Sequence, residues 1–183
     1  MSTFADRPNT ALLVIDVQNG VVADAYKRAE VIANINTLVT KARAKGVPVI
    51  WVQHSEEEMP IGSEYWQIVS ELSPLETEPH IRKEYGSSFE ATNLDQVLAD
   101  LKVGNLFLCG AQSNNCVRHT AHVALERGYD ITLVGDAHTT SDQQWGSLLL
   151  RAEEVVAEQN RAFENYSLPG RSAKVELTEK VLN

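Results

Sequence analysis

Three side chains in this 183-residue chain are placed to do chemistry together: a thiol, a carboxylate and an ammonium. Cys116 follows an apolar run at residues 106–109 (LFLC) and the loop Gly110-Ala111-Gln112-Ser113-Asn114-Asn115. That pattern predicts a strand, a loop, and a helix that starts at Cys116 and ends near Gly128. Free N–H groups and the positive end of a helix dipole favour a thiolate at such a position. Asp16 ends a second apolar run, where a buried carboxylate is costly unless paired. Lys83 lies in the segment IRKEYGSSF, on a short predicted strand. Each also has a plainer reading. Cys116 is then a buried inert hydrophobe, Asp16 a helix cap or structural ion pair, and Lys83 a solvent-facing lysine.

The elements that must hold these groups alternate. Residues 11–17 (ALLVIDV) read as a strand buried on both faces. Helical periodicity spans 26–45, with Val31, Ile32, Ile35, Leu38 and Val39 on one face, and Gly46 closes it before a strand at 47–53. Residues 54–78 are irregular, punctuated by Pro60, Gly62 and Pro74. They are long for a connection and read as a functional excursion over the site. Glu56-Glu57-Glu58 within it reads as a solvated patch. A strand at 81–84 and a helix at 93–101 precede the Cys116 unit; a strand at 131–134, a long helix at 141–158 and a strand at 174–176 follow it. The order predicts an α/β protein, a three-layer α/β/α sandwich with a mostly parallel, Rossmann-like sheet, forming one domain over residues 1–183.

Composition narrows the partners. The chain is 43% hydrophobic and 22% charged, with a formal charge of −9. That balance argues against nucleic acid and anionic membrane surfaces, which require basic patches. The polar start MSTFADRPNT and the lack of a long apolar run predict a cytoplasmic protein. Two cysteines, Cys109 and Cys116, imply neither a disulfide framework nor a zinc knuckle.

In a Rossmann-like order the strands before Asp16 and Cys116 are neighbours, and the strand of Lys83 comes in from the adjoining side. Carboxylate, ammonium and thiol then converge on one crevice. The carboxylate takes the thiol's proton and the ammonium holds both anions. A thiol activated in this way is expected to alkylate readily at neutral pH, and less readily in Asp16→Asn.

The segments ALLVIDVQNG, RKEYGSSFEAT and GAQSNNCVRHTAHVALERGYDITLVGDA, in that order, resemble the isochorismatase-like cysteine hydrolase superfamily. By this resemblance, Asp16, Lys83 and Cys116 match the family's catalytic triad. It implies a cis peptide bond between Ala111 and Gln112, and an oxyanion hole formed by the backbone N–H groups of Gln112 and Cys116. The implied reaction is hydrolysis of a small non-peptide amide through a thioester. Two alternatives stand beside it, a vinyl-ether hydrolase of the isochorismatase type and a catalytically idle thiol or binding member. A homo-oligomer, dimer or larger, is implied as well. Nicotinamidase-like members carry Asp-x-His after the second strand, whereas this chain reads Trp51-Val52-Gln53-His54-Ser55. No metal and no cofactor are therefore expected. A dinucleotide is disfavoured too, because Asp-Val-Gln-Asn-Gly stands where Gly-x-Gly-x-x-Gly would be needed. Substrate contacts are expected from His54, Trp66 and Tyr85 around the excursion, from Asn115 beside the nucleophile, and from His119 one helical turn beyond it. His138 ends a strand, as a site neighbour or a cap neighbour.

Overall fold

In the computed structural model, which describes residues 2–183, the chain opens with β1 (Asn9–Ile15), buried from Ala11 onward. A single turn, α1 (Asn19–Val22), and the long α2 (Arg28–Ala44) lead to β2 (Val49–His54). Beyond the excursion come β3 (His80–Lys83), α3 (Leu94–Asp100) and β4 (Val103–Ala111). A π turn (Ser113–Val117) carries β4 into α4 (Arg118–Arg127), followed by β5 (Asp130–Thr139). The chain finishes with β6 (Gln143–Trp145), β7 (Leu148–Leu150), α5 (Ala152–Phe163), β8 (Ser167–Leu168) and β9 (Arg171–Glu176).

Seven strands form one sheet in the order β3-β2-β1-β4-β5-β9-β8. All are parallel except the two-residue β8. Leu13, Ile15, Leu106 and Leu108 face one side of it and pack with Leu94 of α3 and Leu125 of α4. Leu12, Val14 and Trp51 face the other side and pack with Val31, Ile35 and Leu38 of α2. Both faces of the central strands are thus covered, which is why their sequences are continuously apolar rather than alternating. Each fully buried leucine or isoleucine contributes about 1.5–3 kcal/mol to holding these layers together.

Two expectations are corrected here. Cys116 does not open an α-helix; it lies inside the π turn, and α4 begins two residues later at Arg118. Nor do residues 141–158 form one helix. Residues 143–150 fold into the antiparallel hairpin β6–β7, and α5 starts at Ala152. Asp142 fixes that start, its Oδ1 accepting the Ala152 N–H at 2.7 Å, while Glu153 and Glu154 suit the helix's positive end.

Candidate active site

The strand order reverses between β1 and β4, and in an open α/β sheet ligands bind beyond the strand C-termini at such a point. Asp16 stands there, one residue past β1, with φ of 49°. This left-handed conformation is unfavourable by roughly 1–2 kcal/mol for a residue with a Cβ. It turns the chain sharply as the carboxylate enters the crevice. At the end of β4, Gly110 runs so close to β1 that a Cβ would collide with the Ile15 carbonyl oxygen. The Ala111–Gln112 peptide bond that follows is cis. The Gln112 carbonyl then accepts the N–H groups of Asn115 and Val117 at 3.0 and 3.2 Å, closing the turn around Cys116.

Lys83 ends β3, where alternation along the strand sends Ile81 and Lys83 inward and His80 and Arg82 outward. Its Nζ lies 2.7 Å from Asp16 Oδ2 and donates to Cys116 Sγ at 3.2 Å and to the Tyr85 carbonyl at 3.1 Å. The fourth neighbour is His54 Nδ1 at 3.4 Å. A lysine ammonium only donates, so Nδ1 is the accepting nitrogen and Nε2 bears the proton. That Nε2 lies 3.6 Å from Glu56 Oε2. Asp16 Oδ1 has no hydrogen-bond partner among the described residues.

Burial pushes the Asp16 carboxyl up, and the Lys83 ammonium draws it back. Burial and the Asp16 charge together push the Cys116 thiol up to about 12, against the pull of Lys83. The expected helix-stabilised thiolate is therefore not the resting form. Cys116 rests as a thiol, because desolvation and an adjacent carboxylate outweigh the ammonium.

A cavity of about 470 Å³ opens above these groups. Asp16, Gln112, Asn115 and Cys116 line it, as do His54, Glu56, Glu58, Met59 and Tyr65 from β2 and the excursion. Of the expected substrate contacts, His54 and Asn115 line the cavity. Trp66 does not. Gly20 N–H bonds to the Tyr65 carbonyl at 2.9 Å and Asn19 N–H to the Gln67 carbonyl at 2.9 Å. This pairing sends neighbouring side chains to opposite sides, so Tyr65 lines the cavity while Trp66 lines a separate depression beside Arg82. Tyr85 offers its carbonyl to Lys83 and leaves its ring 55% exposed, off the cavity. His119 is exposed and does not line the cavity, its ring standing so close to Gly86 that a Cβ there would strike it.

Sequence reasoning placed His138 near the site but missed the supporting roles of Gln18, Ser113 and Asn160. Gln18 is fully buried; its Nε2 donates to the carbonyls of His54 and Trp66 at 2.9 and 2.8 Å, and its Oε1 accepts the His54 N–H at 2.8 Å. One side chain thereby ties β2 to the excursion. Beneath the π turn, Ser113 Oγ lies 2.8 Å from His138 Nδ1, and His138 Nε2 lies 2.9 Å from Asn160 Oδ1. The only sequence signal for either was a polar residue beside an apolar strand.

Among the described residues no group of three or more His, Cys, Asp or Glu side chains is arranged to hold a metal ion, and no helix is long and apolar enough to cross a membrane. Residues 10–158 match the family model of the isochorismatase domain. A streptothricin hydrolase of Streptomyces noursei is 35% identical over 144 residues, 75% of this chain and 57% of that protein. An N-carbamoylsarcosine amidase of an Arthrobacter species is 30% identical over 152 residues, 69% of this chain and 57% of its own length. The chain thus spans little more than half of either relative. It covers 98% of YddQ, an uncharacterised isochorismatase family protein of Bacillus subtilis (strain 168), at 35% identity over 185 residues and 94% of this chain. The crystal structure of an isochorismatase from Pseudomonas putida KT2440 superposes with a TM-score of 0.84 at 28% identity, covering 96% of this chain and 91% of that one.

Proposed function

The chain belongs to the isochorismatase family, and on that premise we propose that it is a cysteine-dependent hydrolase of a small non-peptide amide. The observation that carries the reading is the contact of one buried ammonium, Lys83 Nζ, with both Asp16 and Cys116 on the wall of a substrate-sized cavity. An N-carbamoylsarcosine amidase among the relatives supports C–N chemistry.

The course is as follows. Asp16 takes the thiol proton as Cys116 sulfur attacks the substrate carbonyl carbon. The N–H groups of Gln112 and Cys116 hold the resulting oxyanion. The C–N bond breaks, and ammonia or an amine leaves with the proton from Asp16. Water enters, gives its proton to Asp16 and attacks the thioester. Collapse releases the acid and returns the proton to sulfur. A resting thiol suits this sequence, since proton transfer then waits for the carbonyl. The isochorismatase-type ether reading is weaker here. That chemistry does not require a thiol nucleophile, whereas Cys116 stands here in contact with Lys83 on the cavity wall.

The test is ammonia release from a panel of small primary amides, carbamoyl and ureido compounds, run beside Cys116→Ala. Release by the wild type, none by the variant, and an acyl adduct on Cys116 in the quenched protein's mass are expected. Equal release by the variant overturns the reading.

A further inference from the structure

We propose that this cavity selects substrates bearing a cationic group, an ammonium or guanidinium, remote from the scissile carbonyl, and that Glu56, Glu58 and Tyr65 form the subsite that receives it. The inference rests on the reading of the cavity as the Cys116 active site.

Three acidic side chains line the cavity: Asp16, Glu56 and Glu58. Asp16 is matched by Lys83, whose side chain is 0% exposed and already occupied with Asp16, Cys116 and the Tyr85 carbonyl. Two negative charges are left on the wall. Among the described residues neither glutamate pairs with a lysine or arginine, and the one ion contact is that of Glu56 with the His54 ring. Asp16 is itself 1% exposed and its Oδ1 has no hydrogen-bond partner among the described residues, so the cavity ends on a buried carboxyl oxygen.

The turn that carries the glutamates is held in place. Glu56 N–H bonds to the Met59 carbonyl at 3.3 Å and Met59 N–H to the Glu56 carbonyl at 3.1 Å. Buried Met59 anchors this turn, and Glu56 and Glu58 line the cavity while Glu57 does not; Glu56 also borders the neighbouring depression that Glu57 lines with Pro60 and Ile61. Tyr65 adds an aromatic ring to the same wall, and carboxylates beside an aromatic ring suit an ammonium by charge and by cation–π attraction. A carboxylate-bearing substrate meets like charge instead. The acidic run is solvated, as its sequence suggests, with all three members exposed, and two of the three also line the cavity.

Thiol labelling tests this without a known substrate. Cys116 is treated with a cationic and an anionic methanethiosulfonate, the trimethylammonioethyl and sulfonatoethyl reagents. Each rate, read by peptide mass mapping, is divided by that reagent's rate with 2-mercaptoethanol. A normalised preference of about tenfold or more for the cation is expected at low salt, shrinking as salt rises. Glu56→Gln/Glu58→Gln brings the ratio towards one, whereas Glu57→Gln leaves it near the wild-type value. A wild-type ratio near or below one, a ratio untouched by salt and by the double substitution, or a Cys116 that neither reagent reaches would each overturn the proposal. Hydrolysis of 4-ureidobutylamine and 4-ureidobutanoate separates the two readings. A labelling preference with no ammonia from either compound sinks the amidase and keeps the cationic subsite. Faster release from the carboxylate keeps the amidase and sinks the subsite.

Discussion

Asp16 and Lys83 form a buried ion pair, Oδ2 to Nζ 2.7 Å, with side chains 1% and 0% exposed. Such a pair is a poor means of stabilising a fold, because removing two charges from water offsets most of their attraction. Its value is chemical. The pair holds one carboxylate oxygen on Lys83 and leaves Oδ1 unpartnered beside a thiol that rests protonated. One proton can then pass between Asp16 and Cys116 with the site's net charge unchanged.

The thiol's titration follows from this. Cys116 titrates near 12, so its thiolate fraction rises about tenfold per pH unit through neutral and alkaline pH, with no plateau by about pH 10. Iodoacetamide kinetics on the wild type are expected to follow that slope. Asp16→Asn removes a charge that raises the thiol and leaves Lys83, which lowers it. Alkylation at any given pH should therefore speed up, while amide hydrolysis disappears. This reverses the sequence-based expectation that Asp16→Asn would protect the thiol. Slower alkylation in the variant would refute the account.

Lys83→Met leaves Asp16 buried without a counter-charge. A loss of about 3–5 kcal/mol in urea denaturation is expected, together with loss of activity. The sign with pH is set by Asp16, whose carboxyl already sits above its ordinary value and rises further without Lys83. The folded state then binds its proton more tightly than the unfolded chain, so stability falls as pH rises through the carboxyl's titration. The variant should be measurably less stable near pH 8 than near pH 5. Asp16→Asn/Lys83→Met should recover most of the stability and none of the activity. A double variant as unstable as the single one would show that the buried charge is not the cause.

The hairpin at residues 143–150 bears on assembly. Trp145 is 79% exposed and Leu148 55%, on strands paired only with each other. Exposed apolar surface of this kind suits contact with another chain. A homo-oligomer, expected from the resemblance, would cover it with a second copy. Sedimentation should then show an assembly in the wild type that dissociates in Trp145→Ser/Leu148→Ser. An assembly unaffected by both substitutions would place the interface elsewhere.

How far the sequence reveals this molecule depends on the range of each interaction. The buried strands were legible because a sheet covered on both faces leaves a local mark, the unbroken run ALLVI in β1. The positions of Asp16, Lys83 and Cys116 were legible because they stand at strand ends that a Rossmann-like order brings together. The 143–150 hairpin was not, since leucines at 148–150 followed by Val155 imitate helical spacing and the break lies in the short turn at Gly146 and Ser147. Choosing Tyr65 over Trp66 required knowing that residues 65–67 pair with 19 and 20, more than forty positions away. The thiol's protonation was misjudged for a similar reason. It is set by Asp16, a hundred residues upstream, and by burial, more than by the turn in which Cys116 sits.

The chain Ser113–His138–Asn160 ties that turn to the fold, and its proton arrangement is determined. Asn160 Nδ2 donates to the Gly135 carbonyl at 3.0 Å, so its Oδ1 accepts from His138 Nε2. His138 Nδ1 is then the acceptor for the Ser113 hydroxyl. Burial holds the His138 pKa below its ordinary value of 6.5, with the Asn160 bond opposing. The unfolded chain therefore takes up a proton before the folded one does. Stability should decline as pH falls below about 6.5 and level off only beneath the depressed His138 value. His138→Ala removes this dependence and leaves Ser113 and Asn160 unsatisfied, at about 1–3 kcal/mol each. Because Ser113 opens the turn that carries Cys116, kcat should fall more than KM rises. Denaturation at pH 5 and 7.5, with kinetics on the first substrate found, checks both. A variant that keeps the wild-type pH dependence of stability would refute His138 as its source, and an unchanged kcat would show that the Ser113 bond does not position the nucleophile.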